Sequence, residues 1–167
     1  MLFQDSFNVF PRDFFAQESA MVARALLGHQ LLRRWPDGTY SRYRIVETEA
    51  YTQDDPACHA YGKSPARAGR SATLFKAPGM AYVYLIYGIY HCLNVVTEPE
   101  GRAGAVLFRA LEPLAPFSPM QGSDVFCTRG PGKLCNALQI TKADYNEKSM
   151  MSPDSDLLLV QATQPAL

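Results

Sequence analysis

Six short runs with strand signals, several of them rich in β-branched and aromatic residues, are separated by turn residues in this sequence of 167 residues. Such runs predict strands, and short connections between consecutive strands predict antiparallel hairpins. We expect one hairpin around the Trp35-Pro36-Asp37-Gly38 turn and a second around Tyr87 and Gly88, because proline and glycine supply backbone angles that tight turns need. The predicted strands are residues 29–34, 40–48, 80–86, 90–96, 105–110 and 157–162.

Helical periodicity is confined to two segments. Apolar residues recur at helical spacing over residues 16–27, with Gly28 as a stop signal, and Pro131 opens a shorter predicted helix that ends near residue 138. Residues 52–79 predict a long irregular loop, and three prolines predict an interruption over residues 111–119. Since a chain of this length supports one core, we predict an α+β fold, with a largely antiparallel sheet and a single domain over residues 1–167.

The charges balance overall but are unevenly distributed. Lys plus Arg and Asp plus Glu number 16 each, so the total does not indicate a strongly basic nucleic-acid binder. Residues 56–97, however, contain no acidic residue, while Lys63, Arg67, Arg70 and Lys76 give the segment four positive charges. The segment is either a surface that faces phosphates or a basic loop neutralised by acidic neighbours in the fold.

Several classes of protein are disfavoured. No apolar run approaches the ~18 residues that span a bilayer, and the first 15 residues lack the pattern of a signal peptide. The four cysteines form no C-x-x-C pair, which favours reduced thiols over a disulfide framework or a zinc site. We therefore expect a cytoplasmic (nucleoid) or nuclear protein with no membrane partner.

Two carboxylates lie near the end of the second predicted strand, at Glu47 and Glu49. A period of two places both on one face of a regular strand, where such a pair is commonly a solvated polar surface. Here Ile45 and Val46 predict buried positions, and Tyr51 follows at the mouth of the long loop. A carboxylate beside aromatic rings in such a place suits general-base chemistry.

Tyrosines cluster in the second hairpin, at positions 82, 84, 87 and 90. Tyrosines on a sheet are most often core residues or cross-strand pairs, which is the ordinary interpretation of each of these. Tyr87, at the apex of the turn, has little to pack against within its own hairpin. An exposed aromatic side chain on a protruding tip suits insertion between stacked bases.

Five blocks of the sequence, in order, resemble the alkyladenine family of DNA glycosylases, the 3-methyladenine excision enzymes. The blocks are RIVETEAY at 44–51, HAY at 59–61, AYVYLIYGIY at 81–90 with CLN at 92–94, LFRALEP at 107–113 and GPGKLC at 130–135. The resemblance covers residues 20–162. It implies a curved sheet flanked by helices with a protruding β-hairpin. It also implies hydrolysis of the N-glycosidic bond of alkylated or deaminated purines flipped from duplex DNA, namely 3-methyladenine, 7-methylguanine, hypoxanthine and ethenoadenine, without metal or cofactor.

The resemblance also implies roles for individual residues. Glu49 matches the general base that activates water, and Arg109 matches its positioning partner. The expected substrate-binding residues are Tyr51, His59, Tyr84, Leu107 and Asn94, the last excluding the amine of normal guanine. The expected DNA-binding residues are the wedge Tyr87 and the loop cations Lys63, Arg67 and Arg70. No lysine matches a pocket position, so a lyase step is not expected.

Three features depart from the family pattern. Arg70-Ser71 stands where the family has Arg-Asn, and the stretch between Pro113 and Gly130 is short and rich in proline. The sequence ends at Leu167, soon after its last predicted strand, whereas the family continues into further strands. From this apparent shortening we expect lower stability and a monomer that can self-associate through an unpaired sheet edge.

Two other functions remain open at this point. A truncated relative could bind damaged DNA without excising the base. A divalent-metal hydrolase could use Glu47, Glu49, Asp54, Asp55 and His59, although that hypothesis leaves the tyrosines without a role. Substitution of Glu49 by Gln separates catalysis from binding, and a chelator separates the metal hydrolase from the glycosylase.

Overall fold

A computed structural model describes residues 7–114 and 125–163. It contains a curved six-stranded sheet in which every neighbouring pair is antiparallel, with the order β3-β4-β5-β2-β1-β6. The predicted α+β fold with an antiparallel sheet is therefore confirmed. The strands are β1 Gln30–Arg34, β2 Tyr40–Thr52, β3 Ala81–Ile86, β4 Tyr90–Val96, β5 Gly104–Pro113 and β6 Leu157–Val160.

Four α-helices pack around this sheet within the described residues. They are α1 Arg12–Phe15, α2 Ser19–Leu26, α3 Pro131–Leu138 and α4 Lys142–Tyr145. Short 3₁₀ turns occur at Pro65–Arg67, Gly69–Phe75 and Val125–Thr128. No helix in the described ranges has the length and hydropathy required to cross a membrane.

The first predicted helix is shorter than expected at its N-terminal end, because α2 begins at Ser19. Glu18 has an extended backbone, and the first turn is held by a distant residue: Glu98 accepts hydrogen bonds from the Ser19 backbone N–H at 3.0 Å and from its hydroxyl at 3.2 Å. Gly104 allows this approach, because a Cβ there would lie 2.4 Å from Glu98 and 2.6 Å from the Ser19 hydroxyl. Nonlocal contacts therefore determine where this helix starts.

Alternation along the strands separates two layers of side chains. One face packs on α2 and α3 and holds the larger core, in which Val83, Leu93, Val106 and Phe108 are fully buried. The opposite face packs against the loop between β2 and β3, whose Leu74 and Phe75 close a second cluster. This second face positions the candidate site.

The pairing of β2 with β5 contains an irregularity beside Glu47. Ile45 lies opposite Leu111 and Glu47 opposite Ala110, so Val46 is an extra residue on β2. Val46 is 44% exposed, and the expectation that it is buried is wrong, because the alternation of the buried residues Ser41, Tyr43 and Ile45 directs Val46 to the opposite side of the strand; Ile45 is fully buried as predicted. Beyond the bulge β2 continues to Thr52, further than the predicted end at residue 48.

Regular structure also persists through Pro113, which ends β5, although the sequence predicts an interruption from residue 111. A proline is tolerated there because it stands at the end of the strand. The rest of the proline-rich stretch, residues 115–124, lies outside the described residues, as does Leu167.

The outer side of β6 contacts the N-terminal part of the chain. Val9 forms an antiparallel bridge with Val160, and the Gln161 N–H donates to the Asn8 carbonyl at 2.8 Å. Phe7 and Val9 cover a small cluster that contains Leu158 and Val160. Part of the sheet edge expected to be unpaired is thus occupied by the chain itself; self-association stays a prediction.

Candidate active site

A cavity of about 50 Å³, open on one side, lies between the second face of the sheet and the loop that follows β2. Strand alternation explains its composition, since Tyr82 and Tyr84 on β3 and Asn94 on β4 point to the same face. Its lining residues are Tyr51, Ala57, Cys58, His59, Leu74, Tyr82, Tyr84, Asn94 and Ala105. Four of the five predicted substrate-binding residues therefore lie together.

The aromatic side chains of the cavity contact one another. The His59 and Tyr84 ring centroids are 4.5 Å apart at an interplanar angle of 73°, and those of Tyr82 and Tyr84 are 5.6 Å apart. His59 Nδ1 and the Tyr82 hydroxyl share a hydrogen bond of 2.9 Å. The contacts fix the orientation of these rings and leave one face of the cavity open.

Burial keeps these groups neutral at pH 7. It lowers the pKa of His59, to which the charge of Lys63 adds, and it raises the pKa of Tyr82 to about 12. Burial likewise raises the pKa of Tyr84. A neutral imidazole between neutral phenols can accept a cationic ring, which a protonated histidine would repel.

Glu49 lies beside this cavity and is held through both of its oxygens. Arg109 Nη1 donates to Glu49 Oε2 at 2.7 Å, and the Tyr51 hydroxyl donates to Oε1 at 2.6 Å. Burial and this bond to Glu49 raise the pKa of Tyr51 to about 12, so the phenol remains a donor at neutral pH. Tyr51 therefore belongs both to the wall of the cavity and to the support of the carboxylate.

Glu47 also contacts Arg109, with 3.2 Å between Glu47 Oε1 and Arg109 Nε. The two carboxylates thus reach one guanidinium, as expected for residues on the same face of a strand. Burial pulls the pKa of Arg109 downward, but the hydrogen bonds and charges of Glu49 and Glu47 raise it overall. The guanidinium is permanently charged in this setting.

Asn94 and Leu107 differ in their relation to the cavity. Asn94 is 2% exposed, lines the cavity and donates from Nδ2 to the Tyr82 carbonyl at 3.2 Å. Leu107 lies opposite Asn94 on one side and Glu49 on the other in the sheet register, and it is buried. It is a neighbour of both residues and does not itself form part of the cavity lining.

An open groove adjoins the cavity and carries positive charge. Lys63, Arg70 and Lys142 lie in its lining with His59, Tyr82 and Tyr84, and no carboxylate of the described residues does. Lys142 was not predicted from the sequence. Lys142 is the first residue of α4, and its backbone N–H donates to His91 Nδ1 on β4 at 3.1 Å. This contact between distant segments places Lys142 beside the groove.

The basic segment is only partly neutralised. Lys76 pairs with Glu147 at 2.7 Å, whereas Lys63, Arg67 and Arg70 form no ion pair with any carboxylate in the described ranges. Arg67 ends a 3₁₀ turn, is exposed, and lies outside the groove lining. Two of the three expected loop cations therefore face the groove.

Tyr87 stands at the tip of the β3-β4 hairpin and is 84% exposed. Its φ of 52° and the φ of 70° at Gly88 form the turn, and both lie in the left-handed region. Leu85 and Ile89 are also exposed at 46% and 65%. The tip thus presents apolar side chains with little support from the rest of the fold, as the wedge hypothesis requires.

Tyr82 was not among the predicted site residues, although it shares a strand face with Tyr84, which is a signal that could have indicated it. The residues of the metal-hydrolase hypothesis are not gathered: Asp54 pairs with Arg102 at 2.9 Å, and Glu49 binds Arg109. Within residues 7–114 and 125–163, no three His, Cys, Asp or Glu side chains are grouped so as to hold a metal ion.

Comparison with known proteins shows which family this sequence resembles. A family model described as methylpurine-DNA glycosylase matches residues 13–166. A Salinibacter ruber protein named "Putative 3-methyladenine DNA glycosylase" is 53% identical over 142 residues, covering 78% of this chain and 69% of its own length. Proteins of the same name from Herpetosiphon aurantiacus and Koribacter versatilis are 45% and 44% identical, covering 81% and 90% of this chain. This chain spans 63% and 74% of their respective lengths.

Proposed function

Since this chain belongs to the methylpurine-DNA glycosylase family, we propose that it removes alkylated or deaminated purines from duplex DNA by hydrolysing the N-glycosidic bond. The observation that carries the proposal is the placement of Glu49. Its carboxylate is held by Arg109 and Tyr51 beside a cavity walled by neutral aromatic rings. A fixed anion next to an aromatic cavity suits activation of water beside a bound base.

In the proposed reaction Glu49 acts as the general base. Water attacks C1′ of the flipped nucleotide as the bond to the purine nitrogen breaks, and the carboxylate takes the proton that the water loses. The bond electrons leave with the base, so an alkylated, cationic purine departs neutral. Positive charge that develops on the sugar is stabilised by the same carboxylate. Arg109 and Tyr51 hold Glu49 in place during these steps.

The cavity favours cationic purines for electrostatic reasons. Faces of Tyr51 and Tyr84 attract a positive ring by about 0.5–2 kcal/mol, and His59 is neutral because burial lowers its pKa. 3-Methyladenine and 7-methylguanine carry such a charge in DNA, whereas hypoxanthine and ethenoadenine do not. A neutral purine leaves as an anion unless a nitrogen of the leaving base is protonated. Neutral lesions therefore depend on that proton and on hydrogen bonds, for which His59 and Tyr82 are in position.

Asn94 is proposed to discriminate against normal guanine. Its side chain is almost fully buried, and its Nδ2 is engaged with the Tyr82 carbonyl at 3.2 Å, so it has little freedom to move aside. A purine with an exocyclic 2-amino group would have to displace this fixed amide; for 7-methylguanine the attraction of its positive charge to the aromatic faces offsets that cost, whereas neutral guanine has no such compensation. An enzyme selects against a close analogue when binding that analogue would cause a clash or leave buried polar groups unpaired.

Tyr87 and the basic groove are proposed to bind the DNA around the flipped nucleotide. Extrusion of a base costs a few kcal/mol, and insertion of the exposed Tyr87 ring fills the vacated position in the stack. Lys63 and Arg70 would contact phosphates beside the cavity mouth. Such contacts add affinity that depends on salt and not on sequence.

The proposal is tested by single-turnover release of 3-methyladenine, hypoxanthine and ethenoadenine from labelled duplexes, with chelator present and strand breaks developed only by alkali. Wild type is expected to release the bases, and Glu49→Gln to be slower by about 100-fold or more, since it loses the general base. Glu112→Gln is the matched control, because Glu112 is also a β-strand carboxylate paired with an arginine, Arg44, at 2.7 Å.

Each outcome distinguishes a hypothesis. Binding of damaged duplex without release by wild type would support the non-catalytic relative instead. Strand cleavage without alkali would contradict the monofunctional reaction. Equal rates for wild type and Glu49→Gln would show that another group is the base.

A further inference from the structure

Glu47 is a charged residue of the site that takes no part in the proposed reaction. Glu47 Oε1 lies 3.2 Å from Arg109 Nε, while Arg109 Nη1 lies 2.7 Å from Glu49 Oε2. The three side chains form a row in which one planar guanidinium is shared by two carboxylates through different nitrogens. Because the guanidinium is rigid, a contact at one nitrogen restricts the direction in which the others point.

The backbone gives a reason why Arg109 needs this second contact. Glu47 lies opposite Ala110 and Thr48 opposite Phe108, so Arg109 is an extra residue on β5, just as Val46 is on β2. A residue at a bulge has no partner directly across the ladder, and its side chain is aimed differently from those of a flat strand. The Arg109 side chain is also 39% exposed and lines an open groove. Packing alone therefore confines it little.

We propose that Glu47 is a positioning residue, which holds the Arg109 guanidinium so that Nη1 stays directed at Glu49. The inference rests on the proposed function, in which Glu49 is the general base. Glu47 does not touch the base or the water in this scheme and acts only through Arg109. Without Glu47, the long arginine side chain samples other rotamers in the groove. Glu49 is then held by Tyr51 alone for a larger share of the time.

The competing interpretation is an ordinary surface ion pair without influence on the reaction. The Glu47 side chain is 59% exposed, and exposed pairs are commonly worth little. Glu112 provides the matched control, because it pairs with Arg44 at 2.7 Å, is 46% exposed and lines the same groove, but has no contact with Arg109 or Glu49 in the described structure. Both substitutions to glutamine remove one negative charge and keep the shape of the side chain.

The first experiment measures single-turnover excision of hypoxanthine at saturating enzyme. Glu47→Gln is expected to slow excision about three- to fivefold, the range set by the coupling of partly exposed charge pairs, with affinity for the damaged duplex unchanged. Glu112→Gln is expected to match wild type in rate. Urea unfolding of both variants shows whether either change acts through stability.

The second experiment asks whether the effect passes through Arg109, by a double-mutant cycle with Arg109→Gln. Glu47→Gln is expected to have no further effect when Arg109 is already replaced. The same four proteins are tested for binding to a duplex that carries a cationic pyrrolidine in place of the sugar, which resembles the charged transition state. The affinity for this duplex reports how well the Glu49 carboxylate is positioned, even in variants whose excision is too slow to measure.

Two results would overturn the inference: a Glu47→Gln rate equal to that of wild type, or an equal loss from Glu47→Gln with and without Arg109. Neither result affects the proposed function, which depends on whether wild type excises and Glu49→Gln does not. Conversely, a wild type that binds the pyrrolidine duplex but does not excise would refute the proposed function while the binding cycle still reports on Glu47.

Discussion

Tyr51→Phe isolates the contribution of a single hydroxyl to the candidate general base. The change keeps the ring, and so keeps the wall of the cavity, but removes the donor that lies 2.6 Å from Glu49 Oε1. Arg109 then holds the carboxylate alone, through the other oxygen.

The expected magnitude follows from the bond that is lost. A hydrogen bond to a charged group contributes about 1.5–3 kcal/mol, and the lower end applies because the Glu49 side chain is 40% exposed and water can replace part of the interaction. A loss of about 1.4 kcal/mol in the transition state slows a reaction about tenfold. We therefore expect Tyr51→Phe to excise about tenfold more slowly at saturating enzyme.

The assay is single-turnover excision together with equilibrium binding of the damaged duplex, which is expected to change less than about twofold because the stacking surface remains. Tyr40→Phe is the control: it lies on the same strand, and it also loses a hydroxyl that bonds a charged side chain, at 2.9 Å from Arg34 Nε, but far from the cavity. The reasoning is refuted if Tyr51→Phe excises at the wild-type rate, or if its slowing is explained by weaker binding.

Three further predictions concern DNA binding and stability. Arg70→Gln should reduce the slope of log affinity against log salt by about one, as measured on undamaged duplex; an unchanged slope would show that Arg70 touches no phosphate. Gly104→Ala should destabilise the fold by about 1–3 kcal/mol in urea unfolding, since its Cβ would lie 2.4 Å from Glu98, and wild-type stability would contradict this. Glu147→Gln should cost up to about 1 kcal/mol at pH 7, because the bond to Lys76 lowers the pKa of Glu147, and this stabilisation is lost as the pH falls through that lowered value. A difference from wild type that stays constant as the pH is lowered into the acid range would contradict the last prediction.

The site residues are predicted from the resemblance to the family, and strand periodicity explains why the structure brings most of them together. Period two along the strands places Glu49 and Tyr51 on one face of β2, and it places Tyr84 and Asn94 on the matching face of β3 and β4. The antiparallel register then brings these strands side by side. Local patterns are sufficient for this, because each strand carries its own alternation.

The parts that sequence could not predict depend on contacts between distant segments. The bulge at Val46 arises from the pairing of β2 with β5, about 60 residues apart in the chain, and it has no local signature in Ile45-Val46-Glu47. Lys142 reaches the groove only because α4 packs against His91. The start of α2 is likewise set by Glu98. In each case the deciding partner is far away in sequence.

Under the proposed function, the arrangement also couples recognition of the base to binding of the DNA backbone. One loop supplies His59 to the cavity wall and Lys63 and Arg70 to the adjoining groove, and it is anchored by the buried side chains of Cys58 and Leu74. A phosphate held by the two cations therefore acts on the same segment that closes the cavity. Because Cys58 and Leu74 anchor the loop on both sides of His59, Lys63 and Arg70, its charged and aromatic parts belong to one tethered segment. In this scheme the loop closes firmly over a base only when the neighbouring DNA phosphate is bound as well. This requirement favours a nucleotide flipped from a duplex over a free purine.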